Sequence, residues 1–213
     1  MDPEQERVAQ DLEEQFQVGV KYYWGLGVPQ DFTQAIKFFH LAASNGHSSA
    51  QTFLGHCYYW GNGVPQDYGE SVEWFQKAAD QDNGAAQLNL GTCYELGKGV
   101  REDSVKAVKL YTLVAHRGWL VAQTRLGFAY LYGRGTPKDA IEAYKWLKLA
   151  AEQRNKYVPG KLAPRGAGLL PVLLFGQDKE AAQKLASLAS TLSPDELQEG
   201  ERRYLDFKAS RKN

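Results

Sequence analysis

The stretch LGHCYYWGNGV at residues 54–64 decides the fold, because near copies of it return at one constant spacing. VGVKYYWGLGV occupies residues 18–28, LGTCYELGKGV residues 90–100, and LGFAYLYGRGT residues 126–136. Each copy begins 36 residues after the one before. A fixed period of this length is typical of solenoids, whose repeats bury their apolar faces only by stacking on one another. We therefore predict four stacked repeats.

Each repeat predicts two helices. Helix A ends at the first glycine of a Gly-x-Gly pair, which can adopt a left-handed conformation there. Its leucine (valine in the first copy) and the tyrosine four residues later share one helical face and are predicted to be core. The glycine after the leucine predicts a closely packed neighbouring helix. Helix A is expected to begin at about Gln15, Gln51, Gln87 and Gln123, and helix B after N-terminal caps at Asp31, Asp67, Asp103 and Asp139.

The expected domain boundaries follow this period. Asp2-Pro3 and Ser193-Pro194-Asp195-Glu196 are both signatures of helix N-termini. The last helix is expected to bury Leu197, Tyr204 and Leu205. The predicted segments are an N-terminal helical cap (1–13), four repeats (14–49, 50–85, 86–121 and 122–158), an apolar insertion rich in proline and glycine (159–178), and C-terminal capping helices (179–213).

Charge and composition limit the partners. The 25 basic and 25 acidic side chains balance, whereas nucleic acids and anionic membranes usually require a basic surface. No apolar run approaches the length of a membrane span, and the acidic N-terminus lacks the pattern of a secretory signal. Cys57 and Cys93 occupy the same position in successive repeats, about 10 Å apart, which is too far for a disulfide. Two unpaired thiols favour a cytoplasmic location.

The order of the residues that recur across the four copies resembles a known repeat. Leucine-glycine, a tyrosine three residues on, Gly-x-Gly-Val, aspartate, Ala-x-x-Trp/Phe and Ala-Ala are similar to the Sel-one-like repeat (SLR) family, an α/α relative of tetratricopeptide repeats. The resemblance covers about residues 14–158. It implies an all-α fold, a right-handed α/α superhelical solenoid of four 36-residue helix-turn-helix repeats plus capping helices. It also implies a role in assembling or regulating other proteins.

Catalytic patterns are missing from the sequence. It contains no Ser-x-x-Lys, Gly-x-Ser-x-Gly, His-Glu-x-x-His or P-loop motif, and the four histidines lack the spacing of metal ligands. We therefore predict no catalytic residues, no metal and no cofactor. Cysteine-rich relatives are described as β-lactam-binding or β-lactam-hydrolysing, so a hydrolase of that kind stands as an alternative to a non-enzymatic function.

A binding surface is predicted on the side of helix A opposite its core face, which would line the concave side of the repeats. Large rings recur there, and aromatic side chains tend to anchor interfaces. The alternative is that these rings pack repeat upon repeat as an extended core. The predicted partner-binding residues are Gln17, Val20, Trp24, Phe53, His56, Trp60, Asn89, Thr92, Leu96, Arg125, Phe128 and Tyr132.

The sequence thus predicts a non-enzymatic scaffold or adaptor, monomeric, that binds a protein or a peptide along helix A. A second apolar stretch lies in the insertion, where it either covers the last repeat or forms an exposed hook for a partner or a lipid surface. A membrane-associated adaptor using this stretch is a further alternative. The possible secondary contact residues are Leu169, Leu170, Leu173, Leu174 and Phe175.

Overall fold

The computed structural model describes residues 3–156 and 177–211, and within these ranges all regular structure is helical. The helices form two compact units. The first unit contains α1 (Pro3–Trp24), α2 (Phe32–Ser44), α3 (Ser48–Trp60), α4 (Tyr68–Ala79) and α5 (Gly84–Leu96). The second unit contains α6 (Ser104–His116), α7 (Leu120–Tyr132), α8 (Ala140–Lys156), α9 (Gln177–Ala189) and α10 (Pro194–Ser210).

Aspartate caps start helix B where the sequence predicted them. The side chain of Asp31 accepts a 2.9 Å hydrogen bond from the backbone N–H of Gln34, three residues into the helix. Asp67 and Asp103 cap α4 and α6 in the same way. Asp103 does so although Lys106 replaces the acidic or amide residue of a capping box, because the backbone N–H alone supplies the donor.

Helix A starts three residues earlier than predicted. The structure begins α3 at Ser48 and α5 at Gly84, with His47 and Asn83 as their N-caps. The ring nitrogen Nδ1 of His47 accepts the backbone N–H of Ala50 at 3.1 Å. Asn83 is a common cap, but histidine is an uncommon one and Trp119, which precedes α7, makes no side-chain cap hydrogen bond, so no cap residue repeats from one helix A to the next.

The core of the first unit is built from phenylalanine rings between helices A and B. Phe39, Phe53 and Phe75 are fully buried, and each contributes about 1.5–3 kcal/mol by leaving water. A Cβ on Gly55 would lie 2.5 Å from the ring of Phe75, so helix B can approach helix A only where glycine stands. The prediction of a closely packed neighbour at this glycine is confirmed.

The prediction of a leucine–tyrosine core face is correct only for the leucines. Leu54, Leu90 and Leu126 are buried. The tyrosine four residues after each leucine is half-buried, because its ring reaches the edge between helices A and B. Tyr58, for example, places its hydroxyl 3.5 Å from Nε2 of His40 on α2, the helix B of the preceding repeat.

The Gly-x-Gly turns combine a left-handed conformation with close backbone contact. The first glycine has φ near +70° and ends helix A, as predicted. The second glycine also has a positive φ, and at Gly63, Gly99 and Gly135 it meets the start of the preceding helix B. A Cβ on Gly63 would lie 2.7 Å from the backbone of Phe32, and one on Gly99 would overlap the carbonyl oxygen of Tyr68. Consecutive turns within the first unit therefore stack backbone against backbone.

The second unit closes with α9 and α10. Ala181 and Leu188 of α9 join Ala143 and Leu147 of α8 in one apolar cluster. The predicted capping box at the start of α10 is confirmed, since Ser193 and Glu196 exchange hydrogen bonds with each other's backbone N–H. The predicted core of α10 is partly wrong. Tyr204 is buried and Leu197 half-buried, but Leu205 is exposed because it points away from α8.

Candidate functional site

Three large apolar side chains stand exposed at the ends of successive A helices in the first unit. Trp24, Trp60 and Leu96 are the last residues of α1, α3 and α5, and they are 51%, 43% and 49% exposed. They occupy one position of the 36-residue period. We call these three residues the helix A end surface.

Buried tyrosines support the two tryptophans. Tyr23 and Tyr59 precede them and are buried. Each tyrosine ring meets the adjacent tryptophan ring edge-on, with centroids 4.9 Å apart for Tyr23 and Trp24 and 5.0 Å apart for Tyr59 and Trp60. The indoles are therefore held against a fixed ring while their outer faces stay in contact with water.

Side-chain hydrogen bonds fix the backbone beneath these rings. The amide of Gln30 donates to the carbonyl oxygen of Tyr23 at 2.8 Å, and Gln66 does the same for Tyr59 at 2.8 Å. The amide of Asn62 donates to the hydroxyl of Tyr23 at 3.1 Å, which joins the turn after α3 to α1. A surface with its backbone fixed in this way loses little entropy when a partner binds.

Five of the predicted partner-binding residues are not on a surface. Val20, Phe53, His56, Asn89 and Thr92 are each at most 4% exposed, so they cannot contact a partner in this structure. The sequence prediction assumed that helix A has one core face. Instead, α3 is buried continuously over residues 50–57 and α5 over residues 85–93, because each A helix packs against more than one neighbour.

The buried polar residues of these helices have hydrogen-bond partners. The amide of Asn89 donates a 2.7 Å hydrogen bond to Nε2 of His56. The amide of Gln51 donates to the carbonyl oxygen of Ala43 at 3.0 Å, and the hydroxyl of Thr92 donates to that of Leu88 at 3.0 Å. The first two bonds join different helices and the third lies within α5, so these groups are satisfied structurally rather than forming a reactive cluster.

The two cysteines are free and buried, as expected for unpaired thiols in equivalent positions. Burial raises the pKa of both the Cys57 and the Cys93 thiol to about 12. A thiol with such a pKa is almost entirely protonated at neutral pH and is a poor nucleophile. Neither cysteine therefore suits covalent catalysis in this conformation.

The equivalent surface of the second unit is partly covered. Tyr132 is 41% exposed, with the guanidinium of Arg134 and the ammonium of Lys184 at 5.4 and 5.9 Å from its ring centroid. Phe128 is half-buried and packs on the cluster shared by α8 and α9. Arg125 is half-buried. Here α9 occupies part of the surface that the sequence assigned to a partner.

The remaining predicted contact residues are not part of the helix A end surface. Gln17 is exposed and hydrogen-bonded to Glu13 at 2.6 Å, two turns away from Trp24. The possible secondary contact residues Leu169, Leu170, Leu173, Leu174 and Phe175 lie outside the described residues. Within residues 3–156 and 177–211, no three His, Cys, Asp or Glu side chains converge as metal ligands, and no helix is long and apolar enough to cross a membrane.

A family model matches most of this chain. The model for the Sel1 repeat matches four consecutive segments, residues 15–47, 48–83, 84–119 and 120–155. No curated protein matches the chain.

Two solved structures share the fold. One is a Sel1 repeat protein from Oxalobacter formigenes, with a TM-score of 0.67 and 24% sequence identity over 92% of this chain and 70% of that chain. The other is a protective antigen present in uropathogenic Escherichia coli strains and displaying an SLR fold, with a TM-score of 0.66 and 28% identity. The match covers 95% of this chain and 55% of the antigen, so the chain spans about half the antigen's length. These matches confirm the predicted all-α, solenoid-type repeat fold.

Proposed function

Because this chain belongs to the Sel1 repeat family, whose members are generally non-catalytic repeat scaffolds, we propose that it holds a segment of a partner protein against the helix A end surface. Sel1 repeat proteins typically mediate protein–protein interactions. The finer assignment rests on one observation. Trp24, Trp60 and Leu96 remain about half exposed, whereas Phe53, Tyr23 and Tyr59 are buried.

The chemistry of this surface suits an apolar anchor. Two indoles and a leucine offer large contact area, and tryptophan is among the residues that most often dominate binding energy at interfaces. The indoles need little reorganisation, because Tyr23 and Tyr59 already hold them from below.

A partner helix fits the spacing of the three positions. Equivalent positions of packed neighbouring helices lie about 10 Å apart. An α-helix presents the same face every seven residues, a rise of about 10.5 Å. A helix with apolar residues at every seventh position would therefore place one of them on each of Trp24, Trp60 and Leu96.

Affinity capture from cells that naturally produce the chain tests this function. The native chain is compared with a Trp24→Ala, Trp60→Ala, Leu96→Ala variant whose helicity and unfolding transition are checked by circular dichroism. Leu41→Ala is the matched control, because Leu41 is 50% exposed but lies on α2. The proposal expects a partner that is retained by the native chain and the control and lost by the triple variant. Retention by a folded triple variant contradicts it.

A further inference from the structure

In the second unit, α10 shows how a helix docks on the outer side of helix B. Phe207 of α10 packs edge-on against Trp146 of α8 at 5.1 Å between ring centroids, and against His116 of α6 at 5.5 Å. Trp146 is buried beneath this contact. Few other apolar groups of α10 take part, since Gly200 and Tyr204 are its only buried residues.

Acidic groups of α8, together with Asp139 just before it, pair with the basic groups of α10. Arg203 pairs with Glu142 at 3.0 Å and with Asp139 at 3.7 Å. Lys208 pairs with Glu152 at 2.8 Å. The docked helix thus presents an aromatic ring with a basic group on either side. The ring packs on Trp146, and the basic groups pair with carboxylates on both sides of that tryptophan.

A glycine at the end of helix B completes the contact. The guanidinium of Arg211 donates to the carbonyl oxygen of Arg117 at 3.0 Å and lies so close to Gly118 that a Cβ there would stand 2.5 Å from it. Glycine at this position leaves room for the arginine.

Residues of the same or similar type occur 72 positions, or two periods, earlier in the first unit. Subtracting 72 from Trp146, Glu142 and Asp139 gives Trp74, Glu70 and Asp67, and Glu152 becomes Asp80. Gly118 becomes Gly46, which has a positive φ of 91° compared with 87° for Gly118. We call Trp74, Glu70, Asp67, Asp80 and Gly46 the helix B surface.

The helix B surface is more exposed than its counterpart, although the ammonium of Lys77 lies 4.0 Å from the ring centroid of Trp74 and the ring of His40 packs edge-on against it at 5.7 Å. Trp74 is half-buried, whereas Trp146 is buried, and Glu70 and Asp80 are exposed. A Cβ on Gly46 would meet nothing within 4 Å, whereas Arg211 fills the corresponding space at Gly118. The charge is also more negative, because Glu73 stands where α8 carries Lys145.

We propose that the helix B surface binds a helix of a partner protein that presents an aromatic residue flanked by arginine or lysine, as α10 does to α8. The partner's aromatic ring would rest on Trp74. One basic side chain, four residues before the ring, would pair with Glu70 and Asp67, and a second, beside the ring, with Asp80. A third, four residues after the ring, would lie over Gly46. This site is separate from the helix A end surface and does not depend on it.

Some contacts of α10 have no counterpart in the first unit. Val72 replaces Tyr144, whose hydroxyl donates to Glu201 of α10, and Gln76 replaces Lys148, which pairs with the same carboxylate. Ser44 replaces His116. These replacements remove one hydrogen bond, one ion pair and one ring contact but introduce no bulk, so they leave space for a helix. The carboxylates that would pair with the partner are retained.

The test uses the full chain and a fluorescently labelled synthetic peptide with the sequence of residues 193–211 as the probe, measured by anisotropy. The proposal expects saturable binding that weakens with added salt, because exposed ion pairs are screened. A Glu70→Lys, Asp80→Lys variant should weaken binding at least tenfold, as should Trp74→Ala. The charge variant changes only exposed side chains, so it keeps the test valid if Trp74→Ala unfolds.

Two controls separate this site from others. Leu41→Ala should bind normally, because its equivalent Leu113 stays 51% exposed with α10 docked and so lies outside the contact. A probe carrying Phe207→Ala should bind at least tenfold more weakly than the native probe. No detectable binding, equal binding to the charge variant, or loss of binding only when Glu152 on α8 is changed would overturn the proposal. Self-association of the native chain that Trp74→Ala abolishes would also overturn it, since the occupant would then be a second copy.

Discussion

The amide of Asn89 donates a 2.7 Å hydrogen bond to Nε2 of His56 inside the first unit, where both side chains are buried. The two residues come from α3 and α5, so the bond joins the A helices of consecutive repeats. Two residues that the sequence assigned to the partner-binding surface are therefore part of the packing between repeats.

Replacing Asn89 with leucine should destabilise the chain. The change leaves His56 without this donor in a buried position, which costs about 1–3 kcal/mol. Gln17→Leu is the control, because Gln17 is exposed and should change stability by no more than about 0.5 kcal/mol. Urea unfolding followed by circular dichroism measures both. Equal effects of the two substitutions would place Asn89 on the surface after all.

The close stacking of turns predicts unequal effects of two glycine substitutions. Gly27 and Gly99 have similar φ angles of 76° and 71°, so alanine at either costs about 1–2 kcal/mol for the left-handed conformation. A Cβ on Gly27 meets nothing within 4 Å, but one on Gly99 overlaps the carbonyl oxygen of Tyr68. Gly99→Ala should therefore lower the free energy of unfolding by about 1–3 kcal/mol more than Gly27→Ala does, as measured by chemical unfolding. Similar losses would disprove the stacking of turns.

The buried thiols should be protected from reagents. Because burial raises the pKa of Cys57 and Cys93 to about 12 and excludes solvent, a thiol-reactive dye should label neither in the native chain at pH 7.5. Both should react at once in denaturant. Stoichiometric labelling of the folded chain would show that one of them is accessible.

The same pKa shifts predict a loss of stability at alkaline pH. The unfolded chain releases its thiol protons at lower pH than the folded chain, so the folded state binds more protons between about pH 9 and 12 and its free energy of unfolding falls as pH rises. The loss is on the order of 1 kcal/mol per pH unit for each thiol. Unfolding in urea at pH 8.5 and 10.5 measures it. A Cys57→Ala, Cys93→Ala variant should show a smaller decrease, and an equal decrease would assign it to other groups.

Much of the fold could be predicted because its signals are local and repeated. An aspartate cap predicts the start of a helix, and a glycine able to adopt a left-handed conformation predicts its end. The constant period shows that each signal recurs at the same position of every repeat. The start of α3 could not be predicted, because the cap is the ring nitrogen of His47. The exposed position of Leu205 depends on how α10 lies on α8, which no local pattern encodes.

The structure exposes some of the residues that the sequence assigned to a partner and buries others. Trp24, Trp60 and Leu96 are exposed as the sequence suggested, whereas Phe53 and His56 are buried. Helical periodicity identifies faces but not how many of them a neighbour covers. The helix B surface was missed, although its signal is present in the recurrence of tryptophan and acidic residues at positions 72 apart. Only the docked α10 gives that recurrence a meaning.

Site-specific photo-crosslinking tests the central claim most directly. A photoreactive phenylalanine analogue replaces Trp60 in one variant and Leu41 in another, and each variant is irradiated in cells that naturally produce the chain. Both positions are large, apolar and about equally exposed, so they differ only in the surface to which they belong. The account predicts a crosslinked partner protein from position 60 and none from position 41. The same crosslinks from both positions, or crosslinks from position 41 alone, would contradict it.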